Sequence, residues 1–265
     1  MLSLASFWRS SHLWYLPHAS LLLLLAFGGA SRLIAESTPA GAPQAAAAGS
    51  PLNAAQAVKA QQKLAAGDLY LDGSRAYIHV GKVGLGHEHA VVGQLLSGTI
   101  HLDAPEDAGE LVFDMRSFVA DTDDARRYIG LEGSTDESTQ RQVNANMLGR
   151  HVLDVERFPL ARFEIKKVVP LKPEASGEAR YEMSGNFTLH GTTRPIKFIA
   201  VADTKARAGW THLRGNFSIL QSEFGMKPFT KAFGAIGVTD ELQIHGDLWI
   251  AQQAVALKPS AGVSR

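Results

Sequence analysis

The clearest periodicity in the chain lies in residues 181–201. Tyr181, Met183, Gly185, Phe187 and Leu189 alternate with Glu182, Ser184, Asn186, Thr188 and His190. A period of two puts the first set on one face of a strand and the second on the other. Gly191-Thr192-Thr193-Arg194-Pro195 interrupts the pattern with a permissive glycine and a proline that cannot donate to a ladder, and Ile196, Phe198 and Ala200 resume it. The stretch therefore predicts a hairpin with one apolar face, which must be buried against another sheet or inside a closed one.

The same punctuation runs from Asp68 onward. Asp68–Leu71 and Arg75–Val83 read as strands about a turn at Asp72-Gly73-Ser74, and Val91–Asp103 as a strand with Leu96, Ile100 and Leu102 on one face. Glu110–Met115, Arg157–Lys167, Trp210–Leu220 and Asp240–Ala251 add further strands. Between them, Asp121–Arg150 is polar, with acidic residues ahead of helically spaced Val143 and Met147 or Leu148. It predicts two short helices in a crossover, the second closed by Gly149. The fold class expected is mainly β, an antiparallel barrel or sandwich of about eight to nine strands with short helices in the crossover. Inward positions by alternation are Ile78, Val80, Leu96, Ile100, Phe113, Phe163, Met183, Phe187, Leu189, Phe198, Phe217 and Leu242. They line a ligand space or fill a solid core, since burial alone accounts for an apolar inward residue.

The segments outside this pattern differ in composition. Met1–Ala35 has Arg9, an apolar run at Leu21–Phe27 and small residues Gly28-Gly29-Ala30, as an export signal cut after Ala30 would; a retained anchor over Leu13–Ala35 is the competing reading. Either places the domain outside the cytoplasm, in a bacterial periplasm. Glu36–Pro51 is an Ala/Pro-rich linker, and Leu52–Ala66 a short helix ended by Gly67. The domain expected thus spans residues 67–252, with 1–30 a signal peptide, 31–66 linker and helix, and 253–265 a frayed tail.

The chain's 265 residues carry 26 basic and 26 acidic side chains and no cysteine. The balanced charge, without a basic block, argues against a nucleic-acid binder. The absence of cysteine excludes disulfides, thiolate nucleophiles, Fe–S clusters and Cys-based zinc sites.

Several motifs in order resemble the YceI family of lipid- and polyisoprenoid-binding, lipocalin-like proteins. They are the first strand turning through Asp72-Gly73-Ser74, the Gly84–His89 element, Val152-Leu153-Asp154-Val155-Glu156-Arg157-Phe158-Pro159 with Phe163, the hairpin Gly185–Phe198, and Gly237 with Asp240 and Ile244. The resemblance covers about residues 67–252. It implies an exported antiparallel barrel around an apolar tunnel, holding an isoprenoid-like or other amphiphilic lipid without transforming it and needing no cofactor. A homodimer is implied on the same ground.

The polar candidates are fewer. On a strand, His87 and His89 would point the same way, the H-x-H geometry that clasps zinc or copper from one face, and His151 or His190 could supply a third ligand. This leaves a metal-binding or quinone-linked accessory with a membrane-linked redox partner as the alternative function. The other reading makes His87, His89, His190 and Arg194 a polar gate for a lipid head group, with Arg126-Arg127 on the crossover suited to a diphosphate or quinone oxygen. Ser218, Ser222 and Glu223 invite a hydrolase reading, but the chain has no G-x-S-x-G elbow.

Overall fold

The computed structural model describes residues 63–173 and 177–257. The signal-like segment, the linker, most of the expected helix and the last residues of the tail lie outside them. The described strands are β1 (Lys63–Leu64), β2 (Arg75–Gly84), β3 (His89–Ile100), β4 (Gly109–Ala120), β5 (Leu160–Leu171), β6 (Ala179–Leu189), β7 (Thr192–Arg207), β8 (Trp210–Leu220), β9 (Thr230–Lys231), β10 (Ile236–Ala251) and β11 (Val255–Ala256). From β2 to β8 each strand pairs antiparallel with the next; β8 pairs with β10, and β10 pairs back onto β2. Eight strands thus form a ring, with β9 added along the first residues of β10. Closing the sheet leaves the apolar faces of all eight strands no surface to meet but one another.

Helices α1 (Asp123–Ile129) and α2 (Glu137–Leu148) form the crossover between β4 and β5. The Thr122 hydroxyl accepts from the Ala125 N–H, and the Asp136 carboxylate accepts from the Ser138 and Thr139 N–H groups, so each first turn is capped by an acceptor. Gly130 ends α1 in the left-handed region, and Gly149 follows α2 as expected.

Three local expectations are corrected. The hairpin turn is only His190-Gly191, both at positive φ (49° and 74°), and Thr192–Pro195 already belongs to β7, with Pro195 opposite Asn186. Two left-handed residues match the twist of the flanking strands, so the turn needs no more. Pro195 is tolerated because β7 pairs with β8 only from Ala200 onward, which leaves its other edge free of a ladder. Secondly, Lys63–Leu64, expected inside a helix, is a strand paired with Val255–Ala256, residues expected to fray. Thirdly, Asp68–Leu71 forms only single bridges, Asp68 to Thr99 and Leu69 to Ile250, before a 3-10 turn at Leu71–Gly73. Those bridges carry Leu69 across one end of the barrel, where Ala108, Ile165, Val168 and Ile250 are buried around it as a solid plug.

The strands approach closely where β5 meets β6. A Cβ on Gly185 would lie 2.0 Å from the Glu164 carbonyl oxygen, a backbone atom that cannot swing aside. Gly185→Ala is expected to cost about 1–3 kcal/mol, read as a lowered urea midpoint with an unchanged m-value.

Candidate functional site

Beyond the plug, the barrel is hollow. The cavity measures about 220 Å³ of space open to the centre of a water molecule. Its wall is almost entirely apolar, and Phe163, Phe187, Phe198 and Phe217 contribute a cluster of rings with centroids 5.1–6.5 Å apart. Met147, Val143, Val152 and Leu153 reach it from the crossover, and Met226, Phe229 and Val238 from the segment after β8.

A belt of small residues explains why space remains. Ala200 on β7 pairs with Gly215 on β8, Gly215 with Gly246 on β10, and Gly246 with Ala76 on β2. All four line the cavity. Side chains normally fill an eight-stranded barrel, and here four adjacent strands present almost none at one level. The belt is not uniformly empty: the Phe198 ring covers Gly215, whose Cβ would lie 2.8 Å from it, whereas a Cβ at Gly246 would meet nothing closer than Leu248 at 3.7 Å. Of the four, alternation marks only Ala200, since glycine and alanine are weak strand signals; the clue to the rest is their matched register, which requires the pairing.

Of the twelve residues expected to face inward, all but Leu96 line the cavity. Leu96 is 52% exposed. A bulge between Leu95 and Ser97 inserts an extra residue, so the inward series runs Val91, Gly93, Leu95 and then changes phase to Gly98 and Ile100. Ile100 and Leu96 share parity in sequence but not a face in the sheet.

The polar groups of the wall gather at the end opposite the plug, where β4 and β8 end and β3 and β10 begin. They are His89, Asn146 and Gln221; among the described residues, His245, beside Gly246 in the middle of β10, is the one polar residue of the wall away from that end. Gln221 is anchored by its Nε2 donating to the Thr239 carbonyl at 2.8 Å. His89 Nδ1 lies 2.7 Å from Asp121 Oδ2, and Asp121 also accepts from the Ala90 N–H at 3.1 Å and from Arg126 Nη1 at 3.3 Å. Only 1% of the Asp121 side chain is exposed. Burial alone would raise its pKa and is the largest single influence. The hydrogen bond and charge of His89, the Ala90 N–H and the Arg126 charge together outweigh it and hold the carboxyl below its ordinary value. The carboxylate fixes Nδ1 as the donor and leaves Nε2 as the ring nitrogen without a protein hydrogen bond among the described residues.

The remaining polar candidates are placed elsewhere. Residues 86–88 lie outside the strands, His87 is exposed, and Glu88 sits 3.6 Å from His79 Nε2, so the expected H-x-H face does not form. Gly84, at φ +58°, turns the chain before His87 can continue β2. No three His, Asp or Glu side chains among the described residues converge as a metal site. His190 Nδ1 lies 3.2 Å from the Phe224 carbonyl with its ring against Phe158, and Arg194 donates to the Glu223 carbonyl. Both fasten the 3-10 turn at Gln221–Phe224 to the hairpin and are absent from the cavity wall. Arg126 spends its guanidinium on Asp121, Gly133 and Glu132, and Arg127 pairs with Asp124 at the surface. Ser222 is hydrogen-bonded to Asp240, and no imidazole joins them among the described residues.

The wall is also parted on one side. Below the paired length of β7 and β8, residues 195–199 face 216–218 across a cleft bounded by Glu223. The Phe198 and Phe217 rings, 5.1 Å apart, form the partition between this cleft and the cavity.

A family model described as a YceI-like domain matches residues 69–249. A UPF0312 protein of Pseudomonas putida (strain W619) is 27% identical over 94 residues, which are 34% of this chain and 46% of that protein. A UPF0312 protein of Pseudomonas fluorescens is 25% identical over 121 residues, 44% of this chain and 59% of that protein. The chain thus spans about half the length of the curated relatives it matches. Among solved structures, Burkholderia cenocepacia BcnA is similar with a TM-score of 0.48 at 16% identity, covering 69% of this chain and 100% of that one. A polyisoprenoid binding domain from Saccharophagus degradans implicated in plant cell wall breakdown has a TM-score of 0.49 at 13% identity, covering 71% and 99%.

Proposed function

Because this chain belongs to the YceI-like family, whose model matches residues 69–249, we propose that it is a non-catalytic carrier that sequesters an isoprenoid-like or similar amphiphilic lipid in the barrel. The observation that carries the reading is the cavity itself: mostly apolar along its length, closed at the Leu69 end, with His89, Asn146 and Gln221 gathered at the other. Such a space suits a chain entering tail first, with its head group left beside His89. Each CH₂ removed from water contributes about 0.8 kcal/mol, so the tail supplies most of the affinity and the head group sets orientation. His89 Nε2 is the group that would meet a hydroxyl, carbonyl or phosphate oxygen, and Asp121 holds the ring for it. The proposal includes export to the periplasm, on the strength of the signal-like pattern of residues 1–30.

Native mass spectrometry of the protein purified from its own cells tests the carrier reading. A retained mass of lipid size is the expected result; a protein that leaves the cell empty and takes up no prenol from detergent would overturn it. Head and tail contributions are separable. His89→Ala is expected to weaken retention by roughly tenfold at most, the worth of one hydrogen bond, measured by competition against the wild type.

A further inference from the structure

The open end of the barrel carries a feature that cargo binding does not require. The fully exposed Phe233 and the 79% exposed Leu85 stand beside the half-exposed Ile236 and Val83. Their proximity is built by backbone: the Leu85 N–H donates to the Ala235 carbonyl at 3.0 Å, and Gly84 pairs with Ile236. Cβ atoms on Gly84 and Gly86 would lie 2.3 Å from the Ala235 and Gly237 oxygens, so the two segments touch main chain to main chain. Ala232 and Phe233 both have positive φ, 49° and 56°, a conformation that costs a side-chain-bearing residue energy and here places a large ring in water.

The charge around this tip is mostly basic; Glu88 of the Leu85 loop is the acidic exception, and it sits 3.6 Å from His79 Nε2. Lys227 and Lys231 are exposed on the same segment, Lys82 is exposed across from Val238, and none of the three is ion-paired among the described residues. Residues 226–237 contain no Asp or Glu. The tip is also continuous with the cavity, since Met226 and Phe229 of this segment and Val238 directly after it line its wall while Phe233 faces outward.

We propose that this end of the barrel docks on an anionic phospholipid surface, Phe233 and Leu85 entering the interface and Lys82, Lys227 and Lys231 resting on the phosphates. An exposed aromatic and a leucine with three lysines beside them against one glutamate is the chemistry that partitions into a headgroup layer, where apolar burial and attraction to anionic lipid add. Docking in this orientation brings the cavity's polar end to the membrane. The inference stands on the surface alone and holds whatever the cavity contains.

The full chain can be tested directly, because it has no cysteine and a single introduced thiol is a unique label site. Phe233→Cys carrying a nitrobenzoxadiazole dye is mixed with vesicles of phosphatidylcholine containing about one third phosphatidylglycerol. Lys205→Cys, exposed at the opposite end of the barrel, is the control, so that adsorption through residues 1–35 cannot mimic docking at the tip. Emission at position 233 should rise at least about threefold on the anionic vesicles and not on pure phosphatidylcholine, with position 205 unchanged. Each of Lys82→Glu, Lys227→Glu and Lys231→Glu should weaken the response roughly fivefold or more. Equal responses at 233 and 205, no response at 233, or indifference to the lysine reversals would overturn the proposal. Burial of the 233 label on raising protein concentration without lipid would assign the surface to a second copy instead.

Discussion

Gly246→Leu is expected to displace lipid from the barrel while leaving the protein folded. Gly246 lies in the belt of small residues, faces the cavity, and has no atom within 3.7 Å of where a Cβ would stand. A leucine there enters existing space and removes a flexible glycine from a strand interior, so the melting temperature should stay level or rise. Bound chain must give way instead. If three CH₂ groups lose their place, about 2.4 kcal/mol of burial disappears, which is roughly a fiftyfold loss of retention. Leucine at Gly215 makes the necessary contrast. Its Cβ would already lie 2.8 Å from Phe198 and 3.3 Å from the Ala200 Cβ, so that variant should lose stability as well as cargo. Lipid-to-protein ratio by mass spectrometry, beside a thermal melt of each variant, separates the two. Undiminished lipid in Gly246→Leu would mean that cargo lies elsewhere.

Asp121→Ala should be the most destabilising polar substitution at the site. The carboxylate is buried and serves His89, the Ala90 N–H and Arg126 together, and Arg126 is itself only 13% exposed. Removing one partner of a buried ionic cluster strands the others, at a cost of about 3–5 kcal/mol. Asp121 also sits at φ 57°, which Asp and Asn tolerate better than Ala. Asp121→Asn keeps the shape and the left-handed preference and should lose markedly less. The two variants also differ from the wild type in their acid dependence. The Asp121 pKa is depressed in the folded protein, so its contribution to stability is complete above the unfolded value of about 3.9 and is lost as pH falls through the folded value. Urea midpoints measured from neutral pH down to about pH 3 should therefore fall more steeply for the wild type than for Asp121→Asn. Parallel curves would show that the carboxylate's charge is not what holds this corner.

The residues that were read correctly from sequence are those whose neighbours in the chain decide their orientation. Met183, Phe187 and Leu189 face the cavity because strict alternation along β6 leaves no other choice. Asp136 opens α2 and Gly149 follows its last turn for equally local reasons. Leu96 was misread because its face depends on a bulge, and a bulge is a property of two paired strands. His87 and His89 were expected side by side on a strand, but Gly84 and Gly86 close against Ala235 and Gly237, some 150 residues away in sequence, and that contact turns the chain. Asp121 drew no special notice in the sequence, being one of several acidic residues opening the crossover, and becomes the partner of His89 only when β4 ends beside the start of β3.

The sequence by itself determined the antiparallel barrel, the crossover helices, the family and most of the apolar wall, because periodicity and turn chemistry act over a few residues. Only the tertiary structure decided that the barrel is hollow rather than solid and that His89, not His87, reaches its interior. Volume inside a closed sheet is a sum over strands in register: Ala76, Ala200, Gly215 and Gly246 open a space only when hydrogen bonding aligns them.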